Sequence, residues 1–257
     1  MTTTKNPDEA LSSRLRALGM RHLAEHLDDV IAVATKRKWG PLQLIEHTCE
    51  VEEADRARRS QEGRLRRSKI GRFKPLCDFD WTWPGKIDRK AVEEIATLGF
   101  LEDAGNVVLV APQGLGKTMI AQNLAHAAVV AGHTSRFITA SDLLLDLSGQ
   151  DSARGLEQRL RYWSSIKLLV IDEIGYLSYD NRNADLLFQI VSRRYERRSI
   201  VLTTNLAFKD WPTIFPNAAC TTALIDRIVH HATIIQIEGK SYRLREAGRS
   251  KRDSKQT

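Results

Sequence analysis

The segment VVLVAPQGLGKT, Val107 to Thr118, constrains the fold of this chain more than any other stretch. An aliphatic run leads into a small, turn-forming loop and then Gly116, Lys117 and Thr118, the tail of the phosphate-cradling pattern G-x-x-x-x-G-K-[ST]. Such a loop works only between a buried strand and the N-terminus of a helix, so both must flank it. Ala111 stands where the pattern has its first glycine. It keeps the small side chain that a crowded strand exit needs and gives up only access to positive φ. Gly114 and Gly116 let backbone N–H groups face phosphates, Lys117 neutralises β and γ oxygens, and Thr118 can ligate magnesium. The residues expected to hold a nucleotide are Pro112, Gln113, Gly114, Leu115, Gly116, Lys117, Thr118 and Met119.

The surrounding sequence supplies a sheet for that loop. NVVLVAP, SRFITA, LLVIDEI and SIVLTTN are short apolar runs rich in β-formers, and helical stretches such as MIAQNLAHAAVVAG and NADLLFQIVSRRYERR lie between them. Continuous apolar strands alternating with helices imply an α/β fold whose parallel sheet is covered on both faces. In LLVIDE, four apolar residues are followed by Asp172 and Glu173, the way a buried strand presents charge at its C-terminal edge, where open α/β sheets bind ligands. An Asp-Glu pair alone also suits a cap or turn. Downstream of a phosphate loop, Asp172 reads as the magnesium partner and Glu173 as the residue that orients or activates water. SIVLTTN ends in Thr203, Thr204 and Asn205, which puts an amide near the γ-phosphate or, equally, a turn residue at a strand end.

Charge separates the first 90 residues from this region. Lys plus Arg against Asp plus Glu is 19 to 14 over residues 1–90, 13 to 15 over 91–235 and 7 to 3 over 236–257, so the ends are basic and the middle is not. The early part reads as amphipathic helices, with Leu15, Leu18, Leu23, Leu27, Val30 and Ile31 near helical spacing. From Arg56 to Lys74 there are nine basic residues and one acid, Glu62. A solvated helix face accounts for such a block, and so does a phosphate backbone that relieves its self-repulsion. The DNA-contact candidates are Arg56, Arg59, Arg64, Arg66, Arg67, Lys69, Arg72 and Lys74. PLCDFDWTWPGKIDRK follows without clear period and reads as a linker or collar. The expected organisation is a helical, basic DNA-binding and oligomerisation domain over 1–75, a linker over 76–90, a nucleotide domain over 91–245, and a disordered basic tail over 246–257.

Other chemistry finds little support. No apolar run approaches the roughly 20 residues of a membrane span, and the N-terminus lacks the apolar core of a signal peptide, so a cytoplasmic protein without membrane attachment is expected. Cys49, Cys77 and Cys220 are far apart, odd in number, and read as buried or half-buried thiols. His230 and His231 are adjacent, a spacing that on a helix turns the two side chains apart and argues against a metal site. No trio of acids suited to cutting DNA is identifiable.

Together the phosphate loop, LLVIDE and TTN resemble the AAA+ ATPases. IDEIGYLSYD, NADLLFQIVSRRYERRSIVLTTN, ALIDRIVHH and IEGKSYRLRE narrow the resemblance to the IstB family of transposition helper ATPases, relatives of the DnaC helicase loaders. It covers nearly the whole chain. The resemblance implies a P-loop NTPase domain behind a small helical domain, ATP and Mg2+ as cofactors, assembly of subunits on duplex DNA with ATP between them, and a transposase of the same element as partner. It makes Lys117, Asp172, Glu173 and Asn205 the catalytic set, with Arg227 entering a neighbour's site as arginine finger. Arg193 and Arg194 are further candidates for contacts between subunits, and Arg243 and Arg245 lie where larger AAA+ proteins carry a lid. A DnaC-like helicase loader and a DNA-binding scaffold with ATP as a static ligand are the competing readings.

Overall fold

The computed structural model describes residues 7–176, 178–242 and 245. The expected basic tail over 246–257, and Arg243, lie outside the described residues. The chain forms two compact units, Met1–Gly63 and Arg64–Thr257.

In the first unit, α1 (Pro7–Ala17), α2 (Arg21–Glu25) and α3 (Leu27–Arg37) precede the start of α4 (Pro41–Ser68), which runs past Gly63 into the second unit and begins at a proline because the first helical turn needs no N–H there. Leu23, Ala24 and Val30 are buried. The buried carboxylate of Glu52 accepts a 2.7 Å hydrogen bond from the Leu23 N–H and so satisfies an orphan donor of α2. Asp55 precedes the basic block and partly neutralises it: the Arg59 Nε donates to its Oδ2 at 2.6 Å, and Arg58 binds its other oxygen. Burial would raise the Asp55 carboxyl, but those two arginines hold it below its ordinary value.

The second unit is a five-stranded parallel sheet in the order β2-β3-β4-β1-β5, with β1 Asn106–Val110, β2 Ser135–Thr139, β3 Leu168–Ile174, β4 Ser199–Thr204 and β5 Ala232–Gln236. Strand periodicity sends alternate residues to opposite faces. Val107, Leu109, Leu168, Val170 and Val201 enter one core with α5 (Arg89–Ala96) and α6 (Lys117–Val130). Val108, Leu169, Ile171, Ile200 and Leu202 enter the other, with α7 (Ala140–Ser148), α8 (Ala153–Ser165), α9 (Asn181–Arg194) and α10 (Ala218–Val229). A sheet buried on both sides has no polar face, which is why these strands read as unbroken apolar runs.

The division between units falls earlier than the boundary expected at residue 75, and the segment expected to link two domains belongs to the second unit. The reason is specific pairing with α6. Gln122 Nε2 donates to the Ile70 carbonyl, and Asn123 donates to the Lys74 carbonyl while accepting from the Leu76 N–H, each at 2.9 Å. Ile70 and Phe79 are buried in the core on that side. Further on, Lys86 and Glu238 exchange two backbone hydrogen bonds, tying this segment to the chain after β5.

Arg194 is fully buried, which rules it out as a contact between subunits. Its guanidinium gathers the carbonyls of Trp163 and Ile166 (2.7 and 2.8 Å) and Ser199 (2.6 Å), joining the ends of α8 and α9 to the start of β4. Burial lowers its pKa to about 9, so it stays charged at neutral pH and the carbonyl dipoles offset that charge. Arg194→Ala should cost about 3 kcal/mol or more, because several buried acceptors lose their donor at once. Arg194→Lys should recover only part, since one ammonium cannot span the same carbonyls. Urea unfolding midpoints of the three proteins measure both effects.

Candidate nucleotide site

Five helices of the second unit have a side-chain cap. Asp88, Thr139, Ser152, Asp180 and Asn217 each accept a hydrogen bond from the N–H three residues on, at the starts of α5, α7, α8, α9 and α10. α6 has none: its N-cap is Gly116, in a left-handed conformation at φ 89°. No capping side chain competes with an anion at the first turn of α6, and the helix dipole favours one there. Gly114 is also left-handed, at φ 76°. Ala111 has no positive φ, so alanine fits the position where the pattern has glycine.

A cavity of about 570 Å³ opens over this loop. Gln113, Gly114, Leu115, Gly116, Lys117, Thr118 and Met119 line it, and Glu173 and Asn205 reach it from the neighbouring strands. The Pro112 side chain is not in the wall. Its carbonyl, like that of Ala111, accepts a hydrogen bond from the buried Lys117 ammonium, at 2.9 and 2.6 Å respectively.

Thr118 Oγ1 lies 3.1 and 3.2 Å from the two oxygens of Asp172, which is 4% exposed. A hydroxyl facing a buried carboxylate is a hard oxygen pair of the kind magnesium takes, so these residues fit the ion. Thr203 fixes the acids: its hydroxyl donates to Asp172 Oδ1 and accepts from the Glu173 N–H at 3.0 Å. Glu173 has φ 66° at a register shift between β3 and β4, and this left-handed turn exposes its carboxylate while Asp172 stays buried. A non-glycine residue in that region costs roughly 1–3 kcal/mol, a strain typical of functional sites. The Asn205 Oδ1 is buried without a hydrogen-bond partner. Gly175, at φ 114°, makes room for it, since a Cβ there would lie 2.6 Å from that oxygen.

The opposite wall comes from residues whose part in the site sequence reasoning missed. Arg72, Phe73, Lys74, Phe79, Asp80 and Trp83 line the cavity, as does Tyr242, whose N–H donates to the Gly114 carbonyl at 2.9 Å. Arg72 and Lys74, expected to contact DNA, thus stand at the mouth of this cavity. Arg245 stacks 4.3 Å from the Trp83 ring and pairs with Asp80 at 3.3 Å. The remaining DNA candidates divide by exposure: Arg56, Arg66, Arg67 and Lys69 are exposed, whereas Arg59 and Arg64 are half-buried. Arg227 does not line the cavity; in the last turn of α10, its guanidinium lies 4.8 Å from the Phe188 ring. Arg193 pairs with Glu157 at 2.7 Å, and Arg193 and Arg161 together hold that carboxyl down to about 2. Cys49 and Cys77 are exposed, not buried as expected, and Cys220 is half-buried.

A family model described as IstB-like ATP binding protein matches residues 13–250. An insertion sequence IS21 protein of Pseudomonas aeruginosa, provisionally described as ATP-binding, is 38% identical over 93% of this chain and 89% of its own length. A similarly described insertion sequence IS232 protein of Bacillus thuringiensis subsp. berliner is 35% identical over 94% and 97%. Among solved structures, the crystal structure of DnaI matches with a TM-score of 0.54 at 19% identity, covering 67% of this chain and 92% of that one. The replication initiator DnaA bound to AMPPCP and single-stranded DNA matches at 0.50 and 17%, covering 63% and 52%. The second unit shares its fold with these two proteins.

Gly116→Ala tests the cradle. A Cβ there would lie 2.4 Å from the Phe79 ring on a left-handed backbone, so ATP affinity should fall at least about tenfold and stability by about 1–2 kcal/mol. Trp83 lines the cavity and supplies the signal, as quenching of tryptophan fluorescence on titration with ATP. Wild-type affinity in the alanine variant would mean that phosphates bind elsewhere.

Proposed function

The chain belongs to the IstB-like family of ATP-binding proteins, and on that premise we propose that it is a Mg2+-dependent ATPase that assembles on duplex DNA and presents it to the transposase of an insertion sequence. The convergence of Thr118, Asp172, Glu173 and Asn205 beside one uncapped helix is the observation that carries the hydrolytic reading. Thr118 and Asp172 would hold magnesium, which supplies charge neutralisation for the phosphate oxygens. Lys117 leaves its loop carbonyls for the β and γ oxygens. Glu173 is the base toward water, and Asn205 lines the cavity where that water would stand and helps orient it. Thr203 acts through the two acids and is a positioning residue.

Arg227 is the finger offered to a neighbouring subunit. It stands outside its own cavity, stacked on an aromatic ring rather than paired with Asp226, and such an arginine contributes ~10³-fold or more in rate. Leu18, Leu42 and Ile45 are well exposed on the first unit and suit contacts between subunits. The exposed Arg56, Arg66, Arg67 and Lys69 suit a phosphate backbone, whose contacts give affinity without sequence preference. Relatives encoded by insertion sequences favour the transposition role over helicase loading. A transposase gene beside this one would agree with it, and a neighbourhood of replication genes would favour the loader.

Lys117→Ala should abolish ATP turnover measured with and without duplex DNA, and retained turnover would remove the site. Mixing Arg227→Ala with Lys117→Ala subunits should restore part of the activity that each lacks alone. No recovery at any mixing ratio would count against a finger acting between subunits. Slow turnover that DNA does not stimulate would support the static-ligand scaffold.

Reversing Arg66 and Arg67 to glutamate should weaken DNA binding at low salt and flatten the plot of log affinity against log salt by about two, close to one per phosphate contact. Fluorescence anisotropy over a salt series measures this. An unchanged slope would assign the two arginines to a solvated face.

A further inference from the structure

We propose that Glu196, His230 and His231 form a binding site for a zinc-type divalent cation, separate from the nucleotide site. Adjacent histidines diverge on a helix, but this pair lies beyond one. α10 ends at Val229; His230 is extended at φ −60°, ψ 121°, and His231 turns left-handed at φ 58°. That reversal brings the two rings together, with centroids 3.9 Å apart. A second left-handed residue, Glu196 at φ 56°, turns the chain between α9 and β4 and delivers a carboxylate to the same place. Glu196 Oε1 lies 3.8 Å from His230 Nδ1 and 3.9 Å from His231 Nε2, and one donor atom from each of the three residues falls within a 4.8 Å spread.

Two imidazoles and a carboxylate are a nitrogen and oxygen set that zinc accepts. Tetrahedral bonds of about 2.0–2.2 Å place donors roughly 3.3–3.5 Å apart, so the two glutamate–histidine pairs must close by about half an ångström and the histidine pair, within 4.8 Å, by about 1.5 Å at most. All three side chains are about half exposed, at 46%, 60% and 55%, so they can close without disturbing a core, and a fourth position stays open to water. Tyr195 competes with a cation for one of these donors. Its hydroxyl lies 2.8 Å from His230 Nδ1. When a cation takes that nitrogen, the hydroxyl has the Glu196 carboxylate as its alternative acceptor.

Location separates this site from magnesium. The three residues directly precede β4 and β5, at the sheet edge opposite the phosphate loop, about one strand length or ~17 Å away. The His231 carbonyl accepts from the Asn106 N–H at 3.0 Å, which fastens the cluster to the start of β1. A bound cation would brace the ends of α9 and α10 together, one turn beyond Arg227.

The test uses the full-length, nucleotide-free protein in excess Mg2+, titrated with Zn2+ against a chromophoric chelator and with Co2+ followed by visible absorption. The expected result is about one equivalent per chain and an intense cobalt band of a four-coordinate site. His230→Ala/His231→Ala should lower zinc affinity at least tenfold and remove the band, and Glu196→Gln should weaken both. His22→Ala/His26→Ala, which removes the other close histidine pair, should change neither. Tyr195→Phe should bind at least as tightly as the parent. Zinc binding unchanged in the His230/His231 variant, for example through the exposed Cys49 and Cys77, would overturn the proposal, and so would no binding to the parent. Matching urea midpoints without metal will show that the variants fold.

Discussion

The uncapped first turn of α6 is the constraint on which the rest of the second unit depends. A capping side chain is worth about 1 kcal/mol, and the unit supplies one to every other helix flanking its sheet. At α6 that stabilisation is withheld, and no capping side chain stands between its first turn and the cavity. The position of β1 between β4 and β5 then decides which groups meet the ligand. β3 brings Asp172 and Glu173 and β4 brings Thr203 and Asn205, each from its C-terminal end. Both faces of the sheet must be covered for this edge to be rigid, which is the task of the two apolar cores and of Arg194 at the far end.

Much of this was legible because it is local. VVLVAPQGLGKT contains strand, loop and helix start in one run, and LLVIDE and TTN are strands ending in polar groups. Ala111 could be accepted from sequence because its role is to be small, and its backbone confirms that no glycine is needed. The far wall of the cavity was not legible. Phe79, Trp83, Arg72 and Tyr242 come from segments without period on opposite sides of the β-rich region, and only pairing with α6 and with the chain after β5 brings them together. Burial was equally hidden: nothing in the sequence distinguishes Arg194, sealed among carbonyls, from Arg193, paired on the surface with Glu157.

The basic block shows the same limit. Counting charges from Arg56 onward left out Asp55, one residue earlier, which occupies Arg58 and Arg59. Periodicity misled at His230 and His231 because a helix end is set by one or two backbone angles that composition does not report. In both cases a single neighbouring residue changed the chemistry available to the group.

The short stretch after α4 has a further consequence. Arg66 and Arg67 end that helix, and Arg72, Phe73 and Lys74 already form part of the cavity wall, with Ile70 pinned between them by Gln122. A polyanion held by the helix end and a nucleotide held by the wall would therefore load the same few residues of backbone. Any free-energy coupling between them must be reciprocal: if one ligand tightens the grip on the other, the second tightens the first by the same factor. The segment that composition marked as a spacer thus joins the end of α4 directly to the cavity wall.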